Sequence, residues 1–317
     1  MKLTVLDAGT LGDDLSLSPL SEFGEVVVWR ETPPECVVDR IADSDVVILN
    51  KVRLGEWNLG NAANLKLICI TATGFDNVDS DYCKAHGIGV VNVVGYSTDS
   101  VVQITLATVL SLVSHLPEYD AYVRDGRYSK GTSHNRLIPV YHELAGLTWG
   151  VVGYGNIGRK VAAVARAIGC RVVVYRKNPK GDEKDEVLSL PDLCRESDVI
   201  TLHVPLNDST SGLISRDLIS QMKPSVILVN AARGGVWDES AVADALREGK
   251  IGAVGSDVFS REPMATDHPF ASLLDSDRIL LTPHMAWGAY EARVRCLDDI
   301  CQSIRSFLSG GRRSRIV

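Results

Sequence analysis

Three residues of complementary chemistry follow three apolar runs in this sequence: Arg233, Glu262 and His284. A guanidinium presents a planar fork of donors that holds a carboxylate and polarises a carbonyl. An imidazole gives or takes a proton near neutral pH. A carboxylate beside that imidazole stabilises its protonated form and orients it. These are the parts needed to deliver a proton to a carbonyl oxygen while negative charge develops there. Each lies in a short motif: Asn230-Ala231-Ala232-Arg233-Gly234, Asp257-Val258-Phe259-Ser260-Arg261-Glu262-Pro263, and Thr282-Pro283-His284. A lone Arg, Glu or His is more often structural than catalytic, so the weight rests on the three occurring together.

Upstream lies Gly153-Tyr154-Gly155-Asn156-Ile157-Gly158, a Gly-x-Gly-x-x-Gly pattern. The pattern alone is weak, but here it follows an apolar run at 149–152 and opens a helical pattern at 157–168. That context predicts a dinucleotide loop. Gly153 permits the tight turn, Gly155 lets pyrophosphate approach the backbone, and Gly158 lets the helix pack close to the sheet. A bound nicotinamide would add the hydride that the trio lacks, so the combined reading is interconversion of a 2-keto and a 2-hydroxy acid. Arg233 then holds the substrate, His284 is the proton donor and Glu262 tunes it. The strand after the loop ends at Tyr175-Arg176-Lys177, where an NAD site normally places an acid for the ribose 2′-OH. Arg176, with Lys177 beside it, predicts a grip on a 2′-phosphate, hence NADP as the preferred cofactor and NAD as the alternative. His203-Val204-Pro205, Ala231, Ala232 and Asp257 stand at strand ends beside the same cofactor. The backbone of His203 is expected to matter more than its ring, and Asp257 reads equally as a ligand of the nicotinamide amide or as a cap.

The elements that must position these residues are short apolar runs alternating with helical patterns. Runs at 3–6, 26–29, 46–49, 67–72 and 90–93 read as buried strands, with helical segments such as 35–42 and 80–86 between them. A second series, at 149–152, 171–175, 198–203, 225–230, 251–256 and 279–281, predicts six more. Such alternation implies an α/β chain with two doubly wound parallel sheets. Between the series, 97–144 reads as a long helix followed by a polar, irregular stretch around 124–136. Residues 290–308 read as a closing helix with apolar positions at Val294, Leu297, Ile300, Ile304 and Phe307.

These motifs, in this order, resemble the D-2-hydroxyacid dehydrogenase family over nearly the whole chain. Thr73-Gly74-Phe75-Asp76-Asn77-Val78-Asp79 and Asn92-Val93-Val94-Gly95-Tyr96-Ser97-Thr98 are also similar to it. Asn50-Lys51, Gly95-Tyr96-Ser97-Thr98 and Pro283-His284-Met285-Ala286-Trp287 look most like its glycerate dehydrogenase and hydroxypyruvate/glyoxylate reductase branch. The resemblance implies Arg233, Glu262 and His284 as the catalytic trio, and backbone amides at Thr73 and Gly74 on the substrate carboxylate, with Lys51 facing the same cleft. It implies a flavodoxin-like substrate domain of residues 1–95 completed by 287–317, and a Rossmann dinucleotide-binding domain of 96–286. It also implies that 97–144 packs on a second subunit, giving a homodimer. Arg176 departs from the family's usual acid, and Trp149 and Trp237 stand where aliphatic residues are common.

Composition excludes some partners. The net charge of −7 argues against a nucleic-acid or membrane-surface binder. No leader pattern is read at the start, and the most apolar helical stretch, 101–113, is too short and too polar to span a bilayer. The seven cysteines show no metal spacing, so no metal is expected and free thiols in a reducing cytoplasm are. Two rival readings stay open: an NAD-linked dehydrogenase for lactate-like or bulkier acids, and a dinucleotide sensor without turnover.

Overall fold

The computed structural model describes residues 1–317, which form two compact units: Met1–Ser97 with Gly288–Val317, and Thr98–Trp287. The first unit alternates strands and short helices: β1 (Lys2–Val5), β2 (Glu25–Val28), α1 (Val37–Ile41), β3 (Val46–Leu49), α2 (Glu56–Leu59), β4 (Leu67–Ile70), α3 (Ser80–Ala85) and β5 (Gly89–Asn92). All pairings are parallel, in the order β2-β1-β3-β4-β5. Every residue of β3, β4 and β5 is buried, which is why these strands read as unbroken apolar runs.

The second unit opens with α4 (Thr98–Val113), α5 (Leu116–Arg124) and α6 (Arg127–Lys130). There follow β6 (Thr148–Val152), α7 (Asn156–Ala167), β7 (Arg171–Tyr175), β8 (Glu186–Val187), α8 (Leu190–Glu196), β9 (Val199–Leu202), α9 (Arg216–Ile219), β10 (Ile227–Asn230), α10 (Glu239–Arg247), β11 (Ala253–Ser256) and β12 (Ile279–Leu281). They build a seven-stranded parallel sheet, β12-β11-β10-β9-β6-β7-β8. Alternate residues of a strand feed opposite core layers. Val152, Val173 and Leu228 face a layer completed by α8, α9 and α10. Val151, Val174 and Val229 face one completed by α4 and α7. This is the period of two expected of a strand covered on both faces. α11 (Tyr290–Leu308) then returns to the first unit, burying Ala292, Leu297, Ile300 and Ile304.

The sheet exceeds the six strands expected. The extra strand β8 is two exposed residues pairing with Val173 and Val174, and it carries no apolar run to announce it. Several strands are shorter at the start than their apolar runs. Residues 225 and 226 precede β10 as the tail of a turn, in which Val226 N–H bonds to Lys223 O. Within the stretch around 124–136 expected to be irregular, α6 is helical, α5 ends at its first residue, and the remainder is irregular. No single helix is long and apolar enough to cross a membrane.

Candidate active site

In the second unit, β6 lies between β9 and β7, so the chain reverses its direction of travel across the sheet at the C-terminal end of β6. Open α/β sheets bind ligands at such a point. The glycine loop occupies it. Gly153 has φ +99°, and its N–H bonds to Tyr175 O at 2.9 Å. A Cβ there would stand 2.5 Å from the carbonyl oxygen of His203. A Cβ on Gly158 would fall 2.0 Å from Gly153 O, so the helix is as close to the turn as two backbones permit. Gly155 differs: an added Cβ would meet nothing within 4 Å. It borders open space at the start of α7, whose N-terminus no side chain caps. Free amides and a positive helix end facing open space fit a pyrophosphate, with Gly153–Gly158 as its cradle.

The three motifs follow β10, β11 and β12, which are neighbours in the sheet and end on the same side. After β10, Asn230 folds the chain over: its amide donates to Arg233 O at 2.9 Å and its Oδ1 accepts from Ala232 N–H. Arg233 emerges half-buried, with Nη1 donating to Ala232 O at 2.8 Å. Gly234 then presses against the turn after β11; a Cβ would fall 2.0 Å from the carbonyl carbon of Phe259. That turn carries Glu262, whose Oε1 accepts from Phe259 N–H at 3.1 Å. Its Oε2 lies 2.6 Å from Nδ1 of His284. The carboxylate thus assigns the Nδ1 proton, and Nε2 is the nitrogen left to act on a substrate.

Backbone strain at His284 is held by Asp257. His284 has φ +52°, in the left-handed region that costs a side-chain-bearing residue free energy. Its N–H bonds to Asp257 O at 2.8 Å. The Asp257 carboxylate accepts from Met285 N–H, Ala286 N–H and the Thr282 hydroxyl. These contacts make Asp257 the anchor of the turn that carries His284.

Two residues absent from the sequence reading support Glu262. Buried Glu239 accepts from Ser260 N–H at 2.8 Å and Ser260 Oγ at 2.5 Å. His268 is buried, and its Nδ1 accepts from Phe270 N–H at 3.1 Å, which puts the proton on Nε2. Nε2 lies 3.0 Å from Glu239, off the line of a well-aligned hydrogen bond. A Glu at the start of α10, after the Asp238 cap, gives no sequence signal beyond helix initiation.

Arg176 stands just past β7, with Nη1 3.0 Å from Glu183 and 3.3 Å from Asp182, and Lys177 is exposed. His203 N–H bonds to Val152 O at 2.7 Å. Both nitrogens of its ring are shut off from solvent, and burial pushes the imidazole down to about 3, so it is neutral. Val204 is half-buried, and Pro205 O accepts from the Thr210 hydroxyl. Lys51, Thr73 and Gly74 lie in the first unit. Buried Asp7 accepts from the backbone N–H of Asn50, Lys51 and Val52, which shapes the loop bearing Lys51. Thr73 O accepts from the Asn92 amide and its hydroxyl donates to Val93 O.

Residues 106–286 match the family described as D-isomer specific 2-hydroxyacid dehydrogenase, NAD binding domain. The chain is 34% identical over 317 residues to a hydroxypyruvate reductase of Blautia hydrogenotrophica, covering 98% of each. It is 35% identical over 277 residues to a glycerate dehydrogenase of Methylorubrum extorquens, covering 87% of each. A solved structure of a Thermus thermophilus protein superposes with TM-score 0.90 at 31% identity over the whole of both chains. A match across the sheet that bears the glycine loop, with identity of this order along both units, has one reading: the chain belongs to the D-isomer specific 2-hydroxyacid dehydrogenase family, as an oxidoreductase that uses a nicotinamide dinucleotide.

Proposed function

We propose that this chain reduces a small 2-keto acid of the hydroxypyruvate or glyoxylate type to the D-2-hydroxy acid, with His284 as proton donor. The observation that carries this reading is the 2.6 Å contact between Glu262 and His284 Nδ1, at the sheet edge where Arg233 also emerges. Nicotinamide, when bound, supplies the hydride. His284 Nε2 delivers the proton to the carbonyl oxygen, and the Glu262 carboxylate stabilises the imidazolium before transfer. Arg233 holds the substrate and offsets charge on that oxygen. Thr73, Gly74 and Lys51 are assigned to the substrate carboxylate. In reverse, the same imidazole takes the proton from the hydroxyl.

Gly153, Tyr154, Gly155, Asn156, Ile157 and Gly158 are assigned to the pyrophosphate. His203, Val204, Pro205, Ala231 and Ala232 border the rest of the dinucleotide, and Asp257 acts through the turn that aims His284. Arg176 and Lys177 are assigned to a 2′-phosphate, which makes NADPH the preferred cofactor. A cytoplasmic setting is supported by the seven free thiols, six of them buried. A two-fold homodimer is supported by the apolar surface of α5 and the segment after α6.

The test is a panel of glyoxylate, hydroxypyruvate, pyruvate and phenylpyruvate, each with NADPH and NADH, followed by loss of reduced-nicotinamide absorbance. The expected result is highest kcat/KM for hydroxypyruvate or glyoxylate with NADPH. Turnover confined to phenylpyruvate, or none with any acid, would sink the assignment.

A further inference from the structure

The segment that begins at Arg176 is neutral only in sum: residues 176–186 hold four cations and four carboxylates. Their arrangement is specific. Nη1 of Arg176 carries two hydrogens, and both face carboxylates: Glu183 Oε1 at 3.0 Å and Asp182 Oδ1 at 3.3 Å. The Glu183 side chain is 4% exposed and also accepts from Lys180 N–H and Gly181 N–H at 3.0 and 2.9 Å. Asp182 is shared, with its other oxygen 2.7 Å from Nη2 of Arg159 on α7. Arg159 in turn lies over the Tyr154 ring, and the Tyr154 hydroxyl donates to Asp185 at 2.7 Å. The acidic run is therefore laced to the helix that follows the glycine loop, and it covers the cation assigned to the 2′-phosphate.

We propose that Asp182 and Glu183 are specificity-determining residues that compete with the 2′-phosphate for Arg176 and so limit the preference for NADPH over NADH. A 2′-phosphate carries close to two negative charges at neutral pH. To reach the guanidinium it must displace these carboxylates from Nη1, or accept Nε and Nη2 alone with two like charges nearby. A ribose 2′-OH meets neither cost. The discrimination is thus set by three residues, one attracting and two opposing, where the position of Arg176 alone predicts a strong bias to NADPH. The proposal rests on the assignment of Arg176 to the 2′-phosphate.

The test uses calorimetric titration of the full chain with 2′,5′-ADP and with 5′-AMP, which differ only in the contested phosphate. Wild type is compared with Asp182→Asn, Glu183→Gln and Arg176→Ala, each checked by thermal melting. Asp182 is a partly exposed partner, so Asp182→Asn should tighten 2′,5′-ADP by about threefold. Glu183 makes a more enclosed charged contact, so Glu183→Gln should tighten it by about tenfold. The affinity for 5′-AMP should stay fixed in both. Arg176→Ala should weaken 2′,5′-ADP and spare 5′-AMP. If neither carboxylate variant raises the ratio of the two affinities, or if both nucleotides weaken together, the competition is overturned and the carboxylates only build the loop. If Arg176→Ala leaves the ratio unmoved, the 2′-phosphate assignment itself fails, and the competition with it.

Discussion

His284 occupies a left-handed backbone conformation that a dozen glycines of this chain also adopt but, besides His284, only His115 and Ser314 among other residues. Such strain persists where the surroundings over-determine it, and here Asp257 supplies the bonds that hold it. His284→Ala should lower kcat for ketone reduction by roughly 10²–10⁴-fold, the usual size of a general-acid contribution. Dinucleotide binding should survive, because the glycine loop is untouched. Glu262→Gln removes the counter-charge of the imidazolium. It also weakens the contact that fixes the ring through Nδ1, so kcat for reduction should fall while dinucleotide affinity holds. Steady-state rates and nucleotide titration for wild type and both variants check this; an unchanged kcat in Glu262→Gln would separate Glu262 from the proton donor. What the sequence carried at this scale was residue type at strand ends, the place where ligands meet parallel sheets. It did not carry Glu239 and His268. Glu239 meets Ser260 across 21 residues of chain, and nothing local to either residue marks the pairing.

Elements were more legible than their support. Strands buried on both faces must be apolar along their whole length, so β3, β4 and β5 stood out as runs, and β10 did for the same reason. β8 did not, since an edge strand of two exposed residues is fixed by its neighbour and not by its composition. The turn after β11 is the element on which the site most depends. It is wedged between Gly234, which tolerates no Cβ, and the carboxylate of Glu239. Glu239→Ala would take from the Ser260 N–H and hydroxyl the carboxylate that accepts from both. Losing a charged acceptor of two part-buried hydrogen bonds costs about 2 kcal/mol. The melting temperature should therefore fall by several degrees, and kcat should fall as Glu262 loses its mooring while nucleotide affinity holds. Thermal melts paired with nucleotide titration decide it. An unchanged melting temperature would mean that the pair carries no stability, and a loss of nucleotide affinity would mean that the damage is not local.

For the whole molecule, the surface that asks for a partner lies in one continuous part of the chain. α5 and α6 bury no residue at all. On and after them, Leu116, Val123, Leu137, Ile138, Val140 and Tyr141 are all exposed, Leu137 to 70% and Val140 to 68%. A nine-residue helix that buries no residue, and is only partly covered at Glu118, Tyr119 and Tyr122, has little of the tertiary packing from which protein helices draw most of their stability. Exposed apolar side chains concentrated in one segment in this way point to an interaction site. The net charge of −7 argues against an anionic nucleic acid or membrane as the cover, and closed two-fold pairing of identical chains is the commonest arrangement among soluble oligomers. The expected assembly is a homodimer through this segment. Sedimentation velocity of the wild-type chain should show a dimer at micromolar concentration. Leu137→Asp with Val140→Asp should shift it to monomer, since each would place a carboxylate in an otherwise apolar contact. α5 should then lose protection in hydrogen exchange, while β6–β12 keep theirs. A wild-type monomer, or a dimer untouched by the double substitution, would mean that this surface is covered by something other than a second copy.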